Sequence, residues 1–258
     1  MIEIIKKYKI SAGLFVLPFL YGCSVTPVQF PEPTDPWEST NRSIMEFNDD
    51  FDESAFKPIA RTYQKITPDI VDVGISNFFG NLYEVSTTVN GALQGKPKQS
   101  IMDASRFIVN SSIGILGIFD VAKHIYLPKH DEDFGQTLAV WGVPKGNYVV
   151  LPFYGPSSVR AIVGRVGDMA LHPFTYTPLF ANVAVGWTAT GLRVVEAIDM
   201  RADFLGAEAV ASEAALDKYT FFRSAYNQQR EYLIKDGEVE ILLLDEEEDD
   251  EDLYEGLE

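Results

Sequence analysis

The chain has 258 residues, 46% of them apolar and 23% charged, a balance that fits a folded protein and excludes wholesale disorder. Its formal net charge of −17, from 38 acidic and 21 basic side chains, excludes the basic footprint that nucleic-acid binding needs, and docking on anionic lipid through surface charge. A single cysteine, Cys23, leaves no route to an intramolecular disulfide or a cysteine metal cage.

Residues 1–22 read as a signal peptide: Lys6, Lys7 and Lys9 precede an apolar run over residues 10–20, and small residues follow near a cut site. The run is short of the ~20 residues that a spanning helix needs, and Pro18 interrupts it. Leu20-Tyr21-Gly22-Cys23 resembles a bacterial lipobox, which implies that Cys23 is lipidated and becomes the mature N-terminus. The alternative is a secreted soluble protein with an incidental cysteine. Ser24 after the cysteine resembles the outer-membrane sorting pattern, and stable anchoring takes more than one acyl chain. Residues 23–34 are a Pro-rich tether.

Within residues 35–235, which read as one domain, Asp35-Pro36-Trp37-Glu38 predicts a helix start with Asp35 as cap. Ile44, Phe47, Phe51 and Ala55 follow at helical spacing. Thr67-Pro68 opens another helix with an apolar face that runs to Leu82, and two more are expected over 84–94 and 97–110, divided by Gly95-Lys96-Pro97. Leu216, Tyr219, Tyr226, Arg230 and Leu233 outline a last helix, stopped by Gly237. Tyr148 to Leu151 is the best strand candidate, so the fold class is all-α with at most one short hairpin. Residues 236–258 hold 13 acidic residues and no basic one, a self-repelling, disordered tail that either solvates the protein or meets a basic partner or divalent cations.

Three segments are unusually apolar. Residues 107–119 and 173–191 carry no charge, and helices of that kind are buried in a large core or face lipid. As a helix the first would cover ~20 Å, enough to lie in one leaflet. Ile113, Ile115, Leu116, Ile118 and Phe119 are its candidate membrane-facing residues. The third segment, residues 141–156, is a Gly/Pro-punctuated aromatic loop or hairpin, either a packed turn or a loop hinged at Gly142 and Gly146.

No nucleophile elbow, phosphate-binding glycine loop or His-Glu-x-x-His helix is present, and no catalytic, metal or cofactor residues are assigned. The cluster His130-Asp131-Glu132-Asp133 reads as the polar lead-in and cap of a helix from Phe134, because consecutive residues do not converge on one point.

The ordered series of motifs is more specific. Asp35-Pro36 with Asn41-Arg42 and Phe47-Asn48 is followed by Lys57-Pro58, Ser76-Asn77-Phe78-Phe79-Gly80-Asn81-Leu82 and Leu93-Gln94-Gly95. Next come Arg106-Phe107 with Asn110, Gly114, Gly117 and Asp120, then Phe134-Gly135-Gln136-Thr137-Leu138, and Leu151-Pro152-Phe153-Tyr154-Gly155-Pro156 through Arg160. Together these resemble the MlaA (VacJ) lipoprotein family over residues 35–235. The resemblance implies a helical ring in the periplasmic leaflet of a Gram-negative outer membrane. Its central channel would take phospholipids from the outer leaflet and pass them to the periplasmic lipid carrier MlaC, beside a trimeric porin. It also implies that the loop around residues 141–152 lines the channel, with Gly142 and Gly146 as its hinges. Such transport breaks no bond, so the absence of a catalytic constellation is expected. Two rivals remain open: a porin-associated structural lipoprotein without transport, and a lipid-anchored phospholipase.

Overall fold

The computed structural model describes residues 35–180 and 183–237, without the side chains of residues 177–180, 183–189 and 212–214. The signal peptide, Cys23, the tether and nearly all of the acidic tail lie outside the described residues. Helix α1 (Glu38–Phe51) runs through a widened π turn (Asp52–Phe56) into α2 (Lys57–Ile66). Then follow α3 (Asp69–Leu93), α4 (Pro97–Ser112), the single turn α5 (Val121–His124) and α6 (Phe134–Val140). A hairpin of β1 (Tyr148–Leu151) and β2 (Gly155–Ser158) leads into α7 (Val159–Leu171), α8 (Pro173–Phe180), α9 (Val183–Ala214) and α10 (Lys218–Ile234). The chain is all-α with one antiparallel hairpin, as its sequence predicts.

Three local expectations are corrected. Asp35 does not cap α1: its carboxylate accepts from Tyr219 Oη and from Arg223 Nη1 (2.9 Å), tying the chain ahead of α1 to α10 instead. The expected break near residue 83 does not exist. α3 is one continuous 25-residue helix that stops only at Gly95, whose φ of +78° lets Gly95 N–H reach Ala92 O and Lys96 N–H reach Gly91 O. Residues 107–119 are not one helix either. α4 ends at Ser112, and Ile115, Leu116 and Gly117 all take positive φ in a tight loop.

α3 packs chiefly on α4, with Gly91 against Ser100, and touches α6, α7 and α9 as well. α6 crosses α7 so closely that a side chain at Gly164 would run into the Gly135 backbone, and α9 returns along α2. The interior between these helices is polar. Of the eight largest fully buried side chains, only Val150 is apolar; the others are Gln136, Asn41, Asn90, Thr137, Asp35, Asp103 and Ser157. Conversely, large apolar side chains on nearly every described helix are exposed, Ile66, Ile70, Ile101, Ile108 and Val166 among them. That inverts the ordinary distribution, in which a buried polar group or an exposed apolar patch is the exception that carries information.

Buried polarity survives because it is paired. Asp168 Oδ1 accepts from Ser86 Oγ (2.9 Å), Asn90 Nδ2 (3.0 Å) and Phe134 N–H (3.0 Å), so one carboxylate joins α3, α6 and α7. Burial still pushes that carboxyl above the usual range. Thr137 Oγ1 donates to Asn90 Oδ1 (2.9 Å), extending the network into α6.

Candidate functional site

Two non-helical segments stand out against the helical frame, and each is held by asparagine side chains. The first is the hairpin. Asn41 and Asn48 lie two turns apart on α1, so their amides project from one face. Asn41 Nδ2 donates to Tyr148 O (3.0 Å) and its Oδ1 accepts from Val150 N–H (2.9 Å). Asn48 Nδ2 donates to Leu151 O (2.9 Å) and its Oδ1 accepts from Phe153 N–H (2.8 Å). The two amides thus serve as the neighbour that the free edge of β1 lacks, satisfying backbone groups that would otherwise be stranded. Phe153 closes the contact edge-to-face on Phe47 (5.4 Å) and Phe51 (4.9 Å). Arg42, between them, donates to Asp217, with its guanidinium 4.4 Å from the centre of the Tyr219 ring, which fixes α1 on α10. Asn41, Phe47 and Asn48, three of the motif residues, therefore act together on the hairpin, while Arg42 acts on α10.

The lead-in to the hairpin contains the two glycines singled out as hinges, and they do different things. Gly142 follows α6 with φ +85°: its N–H meets Ala139 O (2.9 Å), and Val143 N–H meets Leu138 O (2.9 Å). This is the bonding of a helix-stop glycine, and a side chain there would meet nothing within 4 Å. Gly146, at φ +70°, lies against the opposite arm, where a Cβ would fall 2.8 Å from Val159 Cβ. The arms stay joined below the strands through Val159 N–H to Asn147 O and Arg160 N–H to Lys145 O. These bonds carry the pairing of the arms into the first turn of α7, beyond the loop or hairpin expected over residues 141–156. Gly155, the remaining motif glycine here, takes φ +74° where the tip turns back into β2.

The second segment is the loop between α4 and α5. Asn77 and Asn81, one turn apart on α3, donate to Ile118 O (3.2 Å) and Leu116 O (3.3 Å), and Asn81 also donates to Ser111 Oγ (2.8 Å). Gly117 at φ +94° presses against Asn81, leaving no room for a side chain. Because α3 grips the loop by its backbone, the side chains turn outward. Ile113 is 70% exposed, Leu116 63%, Ile115 59%, Phe119 51% and Ile118 41%. Phe78, beside Asn77, stacks edge-to-face on buried Phe79 (5.2 Å). Behind the loop, Arg106 is buried; it donates to Glu84 (2.9 Å), Leu127 O (2.6 Å) and both oxygens of Asp120 (3.0 and 3.1 Å). Asn110 adds a bond to Asp120 (3.0 Å) and accepts from Ala122 N–H (2.9 Å). The sequence marked these residues as a motif but offered no sign that their shared task is to aim a loop.

The histidine cluster resolves as expected into a cap. Asp133 Oδ1 accepts from Gln136 N–H (2.7 Å) at the start of α6, while Glu132 binds Lys96 (2.9 Å) and Gln99 (2.8 Å) at the start of α4. His130 Nδ1 lies 2.6 Å from buried Asp103 Oδ1 beside a shallow open pocket with Lys96, Lys98 and Met102. That pairing joins the chain ahead of α6 to α4, and no hydroxyl hydrogen-bonds to the imidazole among the described residues. No group of metal-ligating side chains occurs among the described residues, and no described helix is long and apolar enough to cross a membrane.

Comparison with known proteins agrees with this geometry. The chain is 34% identical over 239 residues to the intermembrane phospholipid transport system lipoprotein MlaA of Shigella flexneri, spanning 90% of this chain and 91% of that protein. It is 31% identical to the protein of the same description in Haemophilus influenzae, over 82% of this chain and 83% of the relative. A solved chain from work on the structural basis for maintenance of bacterial outer membrane lipid asymmetry superposes with a TM-score of 0.68 at 31% identity. The superposition covers 78% of this chain and 98% of that one. The profile of the MlaA lipoprotein family matches residues 33–233, from the turn ahead of α1 to the last turn of α10, so this chain belongs to the MlaA lipoprotein family.

Proposed function

We propose that this protein is a cell-envelope lipoprotein that transports phospholipids and so maintains the lipid asymmetry of the outer membrane. In detail, it is anchored through Cys23 on the periplasmic side of that membrane, beside a trimeric porin. It draws strayed phospholipids out of the outer leaflet through a polar passage bounded by helices and hairpin, and delivers them to the periplasmic carrier MlaC. The observation that carries this reading is the inverted distribution of side chains: apolar on the outside, with asparagines, threonine, glutamine and carboxylates within. A phospholipid changes leaflet slowly because its charged headgroup must enter hydrocarbon, at several kcal/mol or more. A polar wall for the headgroup beside an apolar one for the tails lowers that barrier, with no bond broken and no catalytic residue required. The residues at 113–119 form the part of the surface that enters lipid, while Gly142 lets the gripped hairpin swing about the end of α6.

Labelling of outer-leaflet phospholipid in cells tests this reading. Deletion of the protein is expected to raise the surface-exposed fraction several-fold, and the native chain to restore it. Gly142→Ala, whose Cβ would meet nothing within 4 Å but which disfavours the φ of +85° held there, is expected to restore it poorly, whereas His130→Ala is expected to restore it fully. An unchanged surface fraction after deletion would overturn the transport reading. A dead His130→Ala with intact folding would favour a hydrolase instead.

A further inference from the structure

The base of the hairpin holds two half-buried cations that the fold leaves without a carboxylate. Lys145 and Arg160 lie opposite each other on the two arms, joined by Arg160 N–H to Lys145 O (3.1 Å). α10 faces them with Arg223, Tyr226, Asn227 and Arg230 at three- and four-residue spacing, one stripe of the helix. The outer two are neutralised, Arg223 by Asp35 and Arg230 by both oxygens of Asp133. The inner two have only neutral partners. Lys145 Nζ donates to Asn227 Oδ1 (2.5 Å) and Arg160 Nη1 to Val143 O (2.9 Å), and neither forms an ion pair among the described residues.

Burial pushes both groups below their ordinary pKa, with Arg160 and Arg223 adding to the effect at Lys145, and Arg230 adding to it at Arg160. Glu231 on α10 and Asp133 work in the opposite direction, one on each group, without reversing it. Beside Arg160 and Arg230, within their electrostatic reach, the hydroxyl of Tyr226 is buried with no hydrogen-bond partner among the described residues. Such a stranded donor is uncommon and calls for an explanation. In a chain of net charge −17, two half-buried cations without a carboxylate and an unpartnered hydroxyl on neighbouring elements supply the donors that an anion with several acceptor oxygens needs.

We propose that Lys145, Arg160 and Tyr226 form a binding site for a phosphate-ester anion, and that its occupant is the phosphate of a phospholipid headgroup. The second half of this inference rests on the transport reading above. The guanidinium supplies paired donors to two phosphate oxygens, the ammonium neutralises the charge, and the phenol takes a third oxygen. At the base of the hairpin the site would hold a headgroup where the arms begin to diverge.

The test is a ³¹P NMR titration of the purified full-length lipoprotein in neutral detergent, with dihexanoylphosphatidylglycerol as probe and inorganic phosphate in a parallel arm. The short-chain lipid is expected to bind, and Lys145→Gln or Arg160→Gln to weaken it by roughly tenfold or more, the loss of about one charge-assisted bond. Lys65→Gln, on an exposed face elsewhere, is expected to leave it unchanged. Arg160→Lys is expected to recover part of the affinity, which separates charge from packing, and thermal unfolding of each variant checks the fold. Equal affinity in native protein, Lys145→Gln and Arg160→Gln would overturn the site. Binding of inorganic phosphate as tight as that of the lipid would overturn the headgroup as occupant. A flat titration alongside raised surface phospholipid in the deletion strain would sink the site alone; expected binding with no change in that strain would sink the transport reading alone.

Discussion

The hairpin and the loop at 113–119 are built by the same device and end up in opposite conditions. Each is an irregular segment whose backbone is held by two asparagines on a neighbouring helix, Asn41 and Asn48 for one, Asn77 and Asn81 for the other. The hairpin turns Tyr148 and Val150 inward, where they are buried, and its lead-in is open around Gly142. The loop turns all five of its large apolar side chains outward and is pinned behind by the buried charge network of Arg106, Glu84 and Asp120. Backbone capture by amides frees side chains from the task of anchoring. What then differs is what stands behind the segment, a buried charge network for the loop and an open glycine lead-in for the hairpin.

The largest effect should come from removing the brace. Arg106→Ala strands the Glu84 carboxylate, already pushed above its usual range by burial, and removes the counter-charge from Asp120. Loss of about 3–5 kcal/mol is expected in urea unfolding followed by circular dichroism, because breaking a buried pair costs more than the pair contributes. Next comes the grip on the hairpin. Asn41→Ala leaves Val150 N–H and Tyr148 O buried without partners, for an expected loss of about 2–3 kcal/mol. Asn48→Ala, nearer the surface, should lose about 1 kcal/mol in the same assay. A ranking with Asn48→Ala above Arg106→Ala would reverse the comparison between the braced loop and the amide-held hairpin.

The smallest effect on folding should be the most informative about lipid. Ile115, β-branched and 59% exposed, holds φ +53°, a strained choice for an outward side chain that packs on nothing large. Ile115→Gly should leave stability unchanged or raise it by up to about 1 kcal/mol. The same change should weaken co-flotation with phospholipid vesicles about tenfold, the transfer value of one large apolar side chain. A substantial loss of stability would mean that the loop packs on protein instead.

Much of this was legible in advance. Helix starts at Pro97 and Phe134, the stops at Gly95 and Gly237, and the strand at Tyr148 to Leu151 follow from local rules of capping, proline geometry and alternation. The failures arise where partners distant in the chain override those local rules. Asp35 had every feature of a cap, but Tyr219 and Arg223, far along the chain, offered its carboxylate a buried partner. The charge-free stretch 107–119 had helical composition throughout, yet Gly114 and Gly117 allowed the backbone to turn where Asn81 could hold it. Gly142 and Gly146 look alike in the sequence, and only the packing of Val159 separates the tightly packed Gly146 from the open Gly142.

Composition and spacing alone determined that this chain is helical, carries an acidic end, and holds stretches too apolar for an ordinary surface. Those properties reside in neighbouring residues and need no partner. Which of the polar residues would be buried, and which of the apolar ones exposed, was decided only by the tertiary fold. A hydrogen bond between Asn41 and Tyr148, or between Asp168 and Ser86, depends on two distant segments meeting at about 3 Å, and no periodicity within either segment encodes that meeting.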